Sequence, residues 1–382
     1  MTTATRRKKD TPSPAEPATA PEPGRRRVSF HLLKVAEVDR ITDDAVAITF
    51  AVPDDLKEEF QYLPGQHLSL RLTVAGDDVR RNYSICAPLS SGKLRVGVKR
   101  LPGGVFSTYA LERLQVGDTI EVLPPTGSFT TTLDPAQTKH YGALAAGSGI
   151  TPVLSILGSA LETEPNSRAT LIYVNQTASS TMFLEELEGL KNKYLDRFQI
   201  VHVLDAERQD SELLSGRLDR ERLLAILDGI VAADDVDDWF LCGPLPLTDL
   251  TREVLLERGV KDEQVHRELF HAQATPPRRP APEVGTERQA GADVSVVLEG
   301  RATDFKLPKA SESILDAALR VRGNVPYACK NGVCGTCRAK LVEGTVEMVQ
   351  NFALEKDEID RGYVLACQSY PTSDRVVLSF DA

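Results

Sequence analysis

The sequence predicts a multidomain protein in which an antiparallel β-barrel domain, a doubly wound α/β domain and a small α+β domain follow one another. Three observations indicate this fold class. The chain has 382 residues, more than one hydrophobic core usually supports. Its apolar pattern changes from alternation to strands separated by helices. A proline-rich stretch then precedes a terminal region that holds four of the six cysteines.

Two segments lack the apolar pattern of a folded domain. Residues 11–24 contain five prolines among small and acidic residues, and we expect residues 1–27 to form a disordered tail. Residues 273–291 contain four prolines without apolar periodicity. This second segment is the predicted linker.

The β-barrel is predicted over residues 28–133, where short segments alternate between apolar and polar side chains. In "HLSLRLT", Leu68, Leu70 and Leu72 fall on one face of a strand. The turn-forming stretches "AGDD" and "SSGK" bound such segments. Alternation between turns is typical of antiparallel strands with one buried face.

The doubly wound domain is predicted over residues 139–272. Apolar runs such as "YGALAA", "TLIYVN", "FQIVHVL" and "WFLC" are separated by helical segments such as "TMFLEELEGLKNKY". Strands that alternate with helices predict a parallel sheet covered on both faces.

The α+β domain is predicted over residues 292–382. "DVSVVLEGRATDFKLP" indicates a hairpin that turns at Glu299 and Gly300. "SESILDAALRVRG" indicates a helix with Ser311 or Ser313 as N-cap and Gly323 as its stop. A cysteine-rich loop follows this helix.

Charge and composition exclude several classes of protein. The formal net charge of −10 disfavours nucleic acid or an anionic membrane surface as the main partner. No apolar run of about 18 residues is present, and no apolar segment follows the basic N-terminus. We therefore expect a cytoplasmic protein whose cysteines are not paired in disulfides.

The cysteines of the last domain have a diagnostic spacing. "CKNGVCGTC" gives C-x₄-C-x₂-C from Cys329, and Cys367 follows after 29 further residues. This is the plant-type [2Fe–2S] spacing. A structural zinc site usually has two C-x₂-C pairs or histidine ligands, and neither pattern is present.

The same residues carry a resemblance. "PYACKNGVCGTCRAKLVEG" and "GYVLACQS" resemble the plant-type ferredoxin domain. The resemblance implies a β-grasp fold over residues 292–382. It also implies that a [2Fe–2S] cluster is bound by Cys329, Cys334, Cys337 and Cys367.

Two stretches of the barrel suit a flavin dinucleotide. In "RRNYSICAP", Arg81, Tyr83 and Ser84 offer a cation for a pyrophosphate, an aromatic face and a hydroxyl. "VGVKRLPGGVFST" offers a glycine loop that suits phosphate. Without further context, an arginine and a tyrosine on a barrel strand more often have a structural role than a binding role.

The two stretches together resemble the flavin motifs of the ferredoxin–NADP⁺ reductase superfamily. The resemblance implies FAD, with Tyr83 and Ser84 as catalytic residues beside the flavin. The predicted FAD-binding residues are Arg81, Asn82, Tyr83, Ser84, Val98, Lys99, Gly103, Gly104 and Ser107.

"LAAGSGITPVLSI" follows a predicted strand and begins a helix, so its backbone N–H groups can bind a pyrophosphate. With "FLCGPLPL", it resembles the NAD(P)H-binding half of the same superfamily. The implied nucleotide-binding residues are Gly147, Ser148, Gly149, Ile150, Thr151, Pro152, Cys242, Gly243 and Pro244.

Two residues of this NAD(P)H-binding domain each have two possible roles. Cys242 is predicted to be catalytic beside the nicotinamide, or else a small buried side chain at a strand end. Phe270 is predicted to contact the flavin, or else to belong to the core.

The choice between NADPH and NADH depends on the end of the second strand, "NQTASSTMF". It has hydroxyls and no acid before Glu185, which favours NADPH. Relatives often carry an arginine where Gln176 stands, and its absence removes a phosphate ligand. NADH therefore stays possible.

The order of modules predicts an electron-transfer reductase, which takes two electrons from NAD(P)H and passes them on singly. Over residues 28–382 the chain resembles reductase subunits of multicomponent oxygenases, most of all those of phenylacetyl-CoA epoxidases. The resemblance implies a di-iron phenylacetyl-CoA epoxidase of phenylacetate degradation as partner. The alternatives are a Rieske-type ring or steroid hydroxylase, such as 3-ketosteroid 9α-hydroxylase, and a non-catalytic iron–sulfur redox sensor.

Overall fold

The computed structural model describes residues 29–74, 76–231, 233–270, 291–308, 312–354 and 356–381 of the chain. The predicted tail (1–27), the predicted linker up to residue 290 and the N-cap candidate Ser311 lie outside these residues.

The first folded region is a six-stranded antiparallel sheet with one helix, α1 (Val105–Glu112). Its strand order is β4-β3-β6-β1-β2-β5. A bridge between Ile85, just after β4, and Val96 of β5 joins the two outer strands and closes the barrel. The strands are β1 (His31–Thr42), β2 (Ala45–Ala51), β3 (His67–Val74), β4 (Asp77–Ser84), β5 (Leu94–Lys99) and β6 (Thr119–Val122).

Alternation in β3 places Leu68 and Leu70 in the barrel core, where both are completely buried. Leu72, the third apolar residue of this pattern, packs against the same core and is partly exposed. The alternating pattern therefore predicts the barrel correctly.

The second region is a parallel five-stranded sheet in the order β11-β10-β7-β8-β9 with helices between its strands. The strands are β7 (His140–Ala146), β8 (Arg168–Asn175), β9 (Phe198–Leu204), β10 (Asp238–Cys242) and β11 (Val265–Glu268). The helices are α2 (Ile150–Thr163), α3 (Leu184–Lys193), α4 (Arg220–Gly229) and α5 (Leu245–Glu257). The order reverses after β7, so the carboxyl ends of β7 and β10 meet at a crevice.

The third region has a mixed five-stranded sheet, β13-β12-β18-β14-β16, and a two-stranded sheet, β15-β17. The strands are β12 (Ala292–Leu298), β13 (Arg301–Leu307), β14 (Arg338–Glu343), β15 (Val346–Met348), β16 (Tyr363–Leu365), β17 (Ser369–Pro371) and β18 (Arg375–Ser379). The helices are α6 (Ile314–Val321) and α7 (Lys356–Asp360).

The local predictions for this region agree with the structure. Glu299 and Gly300 form the hairpin turn, both with positive φ. Ser313 caps α6 by accepting a hydrogen bond from the Asp316 N–H group. The helix ends at Val321 with Arg322 as its C-cap, so the predicted stop residue Gly323 is the first residue beyond the cap.

The predicted fold class, barrel followed by doubly wound domain followed by β-grasp-like α+β domain, is confirmed by the four sheets of these three regions. Among the described residues, every helix is too short or too polar to cross a bilayer.

Candidate functional site

A cavity lies where the three regions meet. Its lining includes residues of β3 to β5, the glycine loop before α1, the start of α2, the segment after β11 and the cysteine loop. The predicted site residues that line it are Arg81, Asn82, Tyr83, Ser84, Lys99, Gly104, Ser107, Ser148, Thr151, Phe270, Cys329 and Cys334. The fold therefore brings residues of the predicted flavin, nucleotide and cluster sites to one place.

The β3–β4 hairpin positions the flavin motif. Its register pairs His67 with Ser84 and Ser69 with Asn82. Tyr83 packs against Phe106, with ring centroids 5.2 Å apart. Burial raises the pKa of Tyr83, so its phenol stays neutral and can offer an uncharged aromatic face.

The glycine loop suits a phosphate group. Gly104 is the N-cap of α1 and has no side chain to accept from the first turn, so backbone N–H groups there remain available to a ligand. Ser107 accepts a hydrogen bond from the Leu101 N–H group (3.1 Å), which fixes the loop. A Cβ at Gly104 would lie 2.7 Å from the Ser107 hydroxyl oxygen.

Two other predicted residues of this motif differ in position. The Val98 side chain is completely buried in the barrel core, so Val98 can offer a ligand only its backbone. Gly103 has a positive φ of 74° and shapes the loop without lining the cavity.

The nucleotide loop and the end of β10 are packed together. A Cβ at Gly149 would lie 2.1 Å from the carbonyl oxygen of Cys242, and one at Gly243 would lie 3.0 Å from the Ala146 Cβ. Gly147 has a positive φ of 53° with open space on its Cβ side. Side-chain-free residues therefore let the two loops approach and leave room at the N-terminus of α2.

Most of the other residues predicted to bind the nucleotide are buried beside these two loops. Ile150 and Pro152 are buried in α2, and Pro244 is the N-cap of α5. Cys242 is completely buried and belongs to a core cluster. Burial, together with the charge of Glu268, raises its pKa well above the ordinary value, so the thiol stays protonated.

Phe270 lines the cavity and also packs against the core of the nucleotide domain, and its predicted contact with the flavin stays a prediction.

Glu268, which was not predicted from the sequence, is a central acid of the cavity. The Ser84 hydroxyl donates a hydrogen bond to its Oε2 (3.0 Å), and Nδ1 of His67 lies 3.7 Å from its Oε1. The other ring nitrogen of His67 is 3.3 Å from the Thr126 hydroxyl. His67 and Glu268 also line a larger cleft of about 860 Å³, so this polar chain separates the two spaces.

A second acid that was not predicted stands at the end of β8. Glu207 accepts a hydrogen bond of 2.8 Å from the Ala178 N–H group, within the turn of Thr177, Ser179 and Ser180. The sequence predicts hydroxyls without an acid here. The carboxylate comes from the loop after β9, which lies beside the end of β8.

The four predicted cluster cysteines form two pairs. Cys334 lies close enough to Cys329, and Cys367 close enough to Cys337, for the neighbouring thiol to shift the pKa of Cys329 and of Cys337. Two pairs are the arrangement that a cluster with two irons needs, with two thiolates for each iron.

The loop around the cysteines supports the same conclusion. Gly332 and Gly335 have positive φ values of 71° and 66°, and the Asn331 N–H group donates to the Cys329 sulfur (3.3 Å). The Cys334 thiol and nearby N–H groups lower the pKa of Cys329 to about 6. A neighbouring thiol and burial raise the pKa values of Cys334 and Cys337, and a bound metal cation would favour their thiolate forms.

The donor sets fit the three predicted groups. Arg81, the α1 N-terminus and the Tyr83 ring suit FAD, the N-terminus of α2 suits a dinucleotide, and the cysteine pairs suit [2Fe–2S].

Comparison with known families agrees with each region. Residues 32–131 match the oxidoreductase FAD-binding domain, and residues 143–253 match the oxidoreductase NAD-binding domain. Residues 296–372 match the 2Fe-2S iron-sulfur cluster binding domain. The chain therefore binds FAD, a nicotinamide dinucleotide and a [2Fe–2S] cluster.

Similar proteins extend over almost the whole chain. One subunit of the 1,2-phenylacetyl-CoA epoxidase of Escherichia coli K12 is 44% identical over 93% of this chain and 98% of its own length. The ferredoxin reductase component of the 3-ketosteroid-9-alpha-monooxygenase of Rhodococcus rhodochrous is 35% identical, covering 91% and 96%. The structure of phthalate dioxygenase reductase matches with a TM-score of 0.55 and 25% identity, covering 92% of this chain and 98% of that one.

These full-length similarities, together with a cavity shared by flavin, nucleotide and cluster residues, show an NAD(P)H-dependent flavin and iron–sulfur oxidoreductase that serves an oxygenase. The chain belongs to the family of three-module oxygenase reductases that includes this subunit of 1,2-phenylacetyl-CoA epoxidase.

Proposed function

We propose that this reductase supplies electrons to a di-iron oxygenase that epoxidises the ring of phenylacetyl-CoA. The full-length similarity to one subunit of a 1,2-phenylacetyl-CoA epoxidase supports this partner. The observation that carries the electron path is the cavity lined both by the flavin motif and by Cys329 and Cys334.

The proposal gives each motif a binding role. Arg81 and the first turn of α1 bind the FAD pyrophosphate, and Tyr83 and Phe270 contact the flavin ring. The loop from Gly147 to Pro152 binds the dinucleotide, with Cys242 to Pro244 closing its crevice. When bound, the flavin accepts a hydride from NAD(P)H and gives up electrons one at a time.

Polar side chains of the cavity hold the protons that take part in flavin reduction. The Ser84 hydroxyl faces the cavity and donates to Glu268, whose other oxygen is near His67. This arrangement holds a proton at Ser84 Oγ, and the Glu268 carboxylate lies 3.7 Å from His67, whose other ring nitrogen contacts Thr126 at the wall of the larger cleft. Cys242, protonated and buried, supports the floor of the nucleotide crevice by packing.

Glu207 bears on the choice of nucleotide. Free ribose hydroxyls favour a carboxylate at the end of the second strand, whereas a 2′-phosphate is repelled by one. Thr177, Ser179 and Ser180 offer hydroxyls that either form of the nucleotide can use. Both NADPH and NADH can serve as electron donors in this proposal. Glu207 disfavours NADPH, because its carboxylate repels the 2′-phosphate.

The experiment combines the purified reductase with a purified di-iron phenylacetyl-CoA oxygenase, NADPH or NADH, and phenylacetyl-CoA. We expect epoxide, measured by mass spectrometry, to form in proportion to the nucleotide consumed. A parallel reaction uses the oxygenase of a 3-ketosteroid 9α-hydroxylase with its steroid, because a reductase of that system is also similar along the whole chain.

The outcomes separate the hypotheses. Steroid hydroxylation without epoxide would replace the proposed partner by a Rieske-type oxygenase. Rapid dye reduction with neither product would leave the reductase without an assigned acceptor. Failure of NAD(P)H to bleach the flavin and cluster absorbance would contradict a reductase and favour a redox sensor.

A further inference from the structure

Arg80 of β4 is a buried cation at the boundary between the flavin barrel and the cluster domain. Its side chain is 3% exposed. Its guanidinium lies 4.1 Å from the ring centroid of Tyr327 and 3.0 Å from the Asp78 carboxylate. A charge is rarely buried without such partners, so these contacts offset its loss of hydration.

The same guanidinium reaches the backbone of the cluster domain. It donates two long hydrogen bonds of 3.4 Å, to the carbonyl oxygens of Gly323 and Val325. Both carbonyls and Tyr327 belong to the segment that runs from α6 to Cys329. Arg80 therefore fixes the chain just before the first cluster ligand.

A second contact fixes the other side of the cysteine loop. Nδ2 of Asn82 donates to the Thr336 hydroxyl (3.0 Å), and the Ser69 hydroxyl donates to Asn82 Oδ1 (2.8 Å). Thr336 stands between Cys334 and Cys337. Ser69 thus orients the amide that contacts the loop.

The two contacts share one strand face and enclose one cysteine pair. Arg80 and Asn82 are two residues apart on β4, so they point to the same side. Their partners at Tyr327 and Thr336 flank Cys329 and Cys334, the pair that lines the flavin cavity.

We propose that Arg80 and Asn82 are positioning residues that dock the cluster domain on the flavin barrel and thereby set the rate of internal electron transfer. Each internal step moves one electron from the reduced flavin to the oxidised cluster. The two electrons of one hydride need two such steps, with the cluster reoxidised by the acceptor in between. The protons of the reduced flavin return to solvent.

The test uses the full-length holoprotein with the change Arg80→Met, which keeps an apolar stem and removes the charge. Anaerobic stopped-flow mixing with NADH or NADPH follows flavin bleaching, and rapid-freeze electron paramagnetic resonance follows the reduced cluster. We expect flavin reduction to stay at the wild-type rate and cluster reduction to slow by about tenfold, because docking loses a buried charge-assisted contact.

Arg71→Met is the matched control. Arg71 lies opposite Arg80 in the hairpin, contacts the same Asp78 carboxylate (3.2 Å) and lies over the same Phe30 ring as Arg80. Its contacts among the described residues are all with the barrel. We expect this variant to keep the wild-type rate of cluster reduction.

Hydrogen exchange gives a readout that does not depend on activity. Residues 323–327 should exchange faster in Arg80→Met than in wild type, and at the wild-type rate in Arg71→Met. Thr336→Val removes the hydroxyl that Asn82 contacts while keeping the side-chain volume, and should slow cluster reduction by about threefold.

The proposal is overturned if both Arg80→Met and Thr336→Val reduce the cluster at the wild-type rate. Equal slowing in Arg71→Met and Arg80→Met would also overturn it, because a general effect on the barrel would then explain the loss. If Arg80→Met fails to fold, Thr336→Val is the deciding variant, and a wild-type rate of cluster reduction in it overturns the proposal.

Discussion

The Ser84 hydroxyl donates a 3.0 Å hydrogen bond to Glu268, which is 184 residues away in the chain. Ser84 ends a barrel strand and Glu268 ends the last strand of the nucleotide domain. The contact therefore joins the two domains at the wall of the flavin cavity.

We expect Ser84→Ala to retain FAD but to slow flavin reduction by about ten- to a hundredfold, because a hydrogen bond to a charged group is lost at the reacting end of the cavity. Stopped-flow bleaching at saturating NAD(P)H measures this rate. Ser91→Ala is the control, since the Ser91 hydroxyl donates to the Pro88 carbonyl in a barrel turn outside the cavity. An unchanged rate in Ser84→Ala would contradict the role of this hydroxyl.

Glu207→Gln should shift nucleotide use toward NADPH, because it removes a negative charge that repels a 2′-phosphate. The neutral amide oxygen can still accept from the Ala178 N–H group, so the turn should stay folded. The measurement is the ratio of kcat/KM for NADPH to that for NADH, which we expect to rise about tenfold. Glu212→Gln, an exposed acid paired with Arg208, should leave the ratio unchanged.

Cys334→Ser should abolish the cluster and spare the flavin, because one iron loses a thiolate while the barrel stays intact. Iron content and the visible spectrum of the purified protein measure both groups. Cys86→Ser is a comparison outside the cluster set, since Cys86 is buried in the core that the barrel shares with the nucleotide domain and its pKa is raised to about 12 by burial. A full cluster in Cys334→Ser would refute the assignment of this ligand.

The nucleotide domain should lose stability as the pH falls below about 6.5, the ordinary pKa of a histidine. Burial lowers the pKa of His202, and burial with the charge of Arg168 lowers that of His140. The unfolded chain therefore binds protons at a pH where the folded domain does not, so stability is full above this pH and decreases below it. Urea unfolding at pH 7.5 and 5.5 measures the loss.

His202→Gln should reduce this loss, because it removes one of the two titrating groups. If the variant and the wild type lose the same free energy of unfolding between the two pH values, His202 does not contribute.

Local motifs can be predicted from the sequence because their residues are neighbours in the chain. The cysteine spacing contains three of the four predicted cluster ligands within nine residues, and the glycines that bend the loop stand between them. Strand alternation in β3 likewise predicts the burial of Leu68 and Leu70 in the core.

Residues that act through distant pairing escape such prediction. Glu268 contacts Ser84 only because β11 lies at the edge of the parallel sheet beside the barrel, and Glu207 reaches the end of β8 from the next loop. The position of His67 could have been predicted, because counting residues outward from the turn between β3 and β4 pairs His67 with Ser84. Arg80 gives no signal, since its partners lie more than two hundred residues later.

The two cysteine pairs differ in how far apart their members lie in the sequence. Cys329 and Cys334 belong to one short loop, whereas Cys367 follows β16 and reaches Cys337 after 29 intervening residues. The first pair can form in a locally ordered loop, but the second requires the sheet that carries β14 and β16. We therefore expect folding of this domain and assembly of the cluster to be coupled, because the second pair joins segments that are distant in the chain.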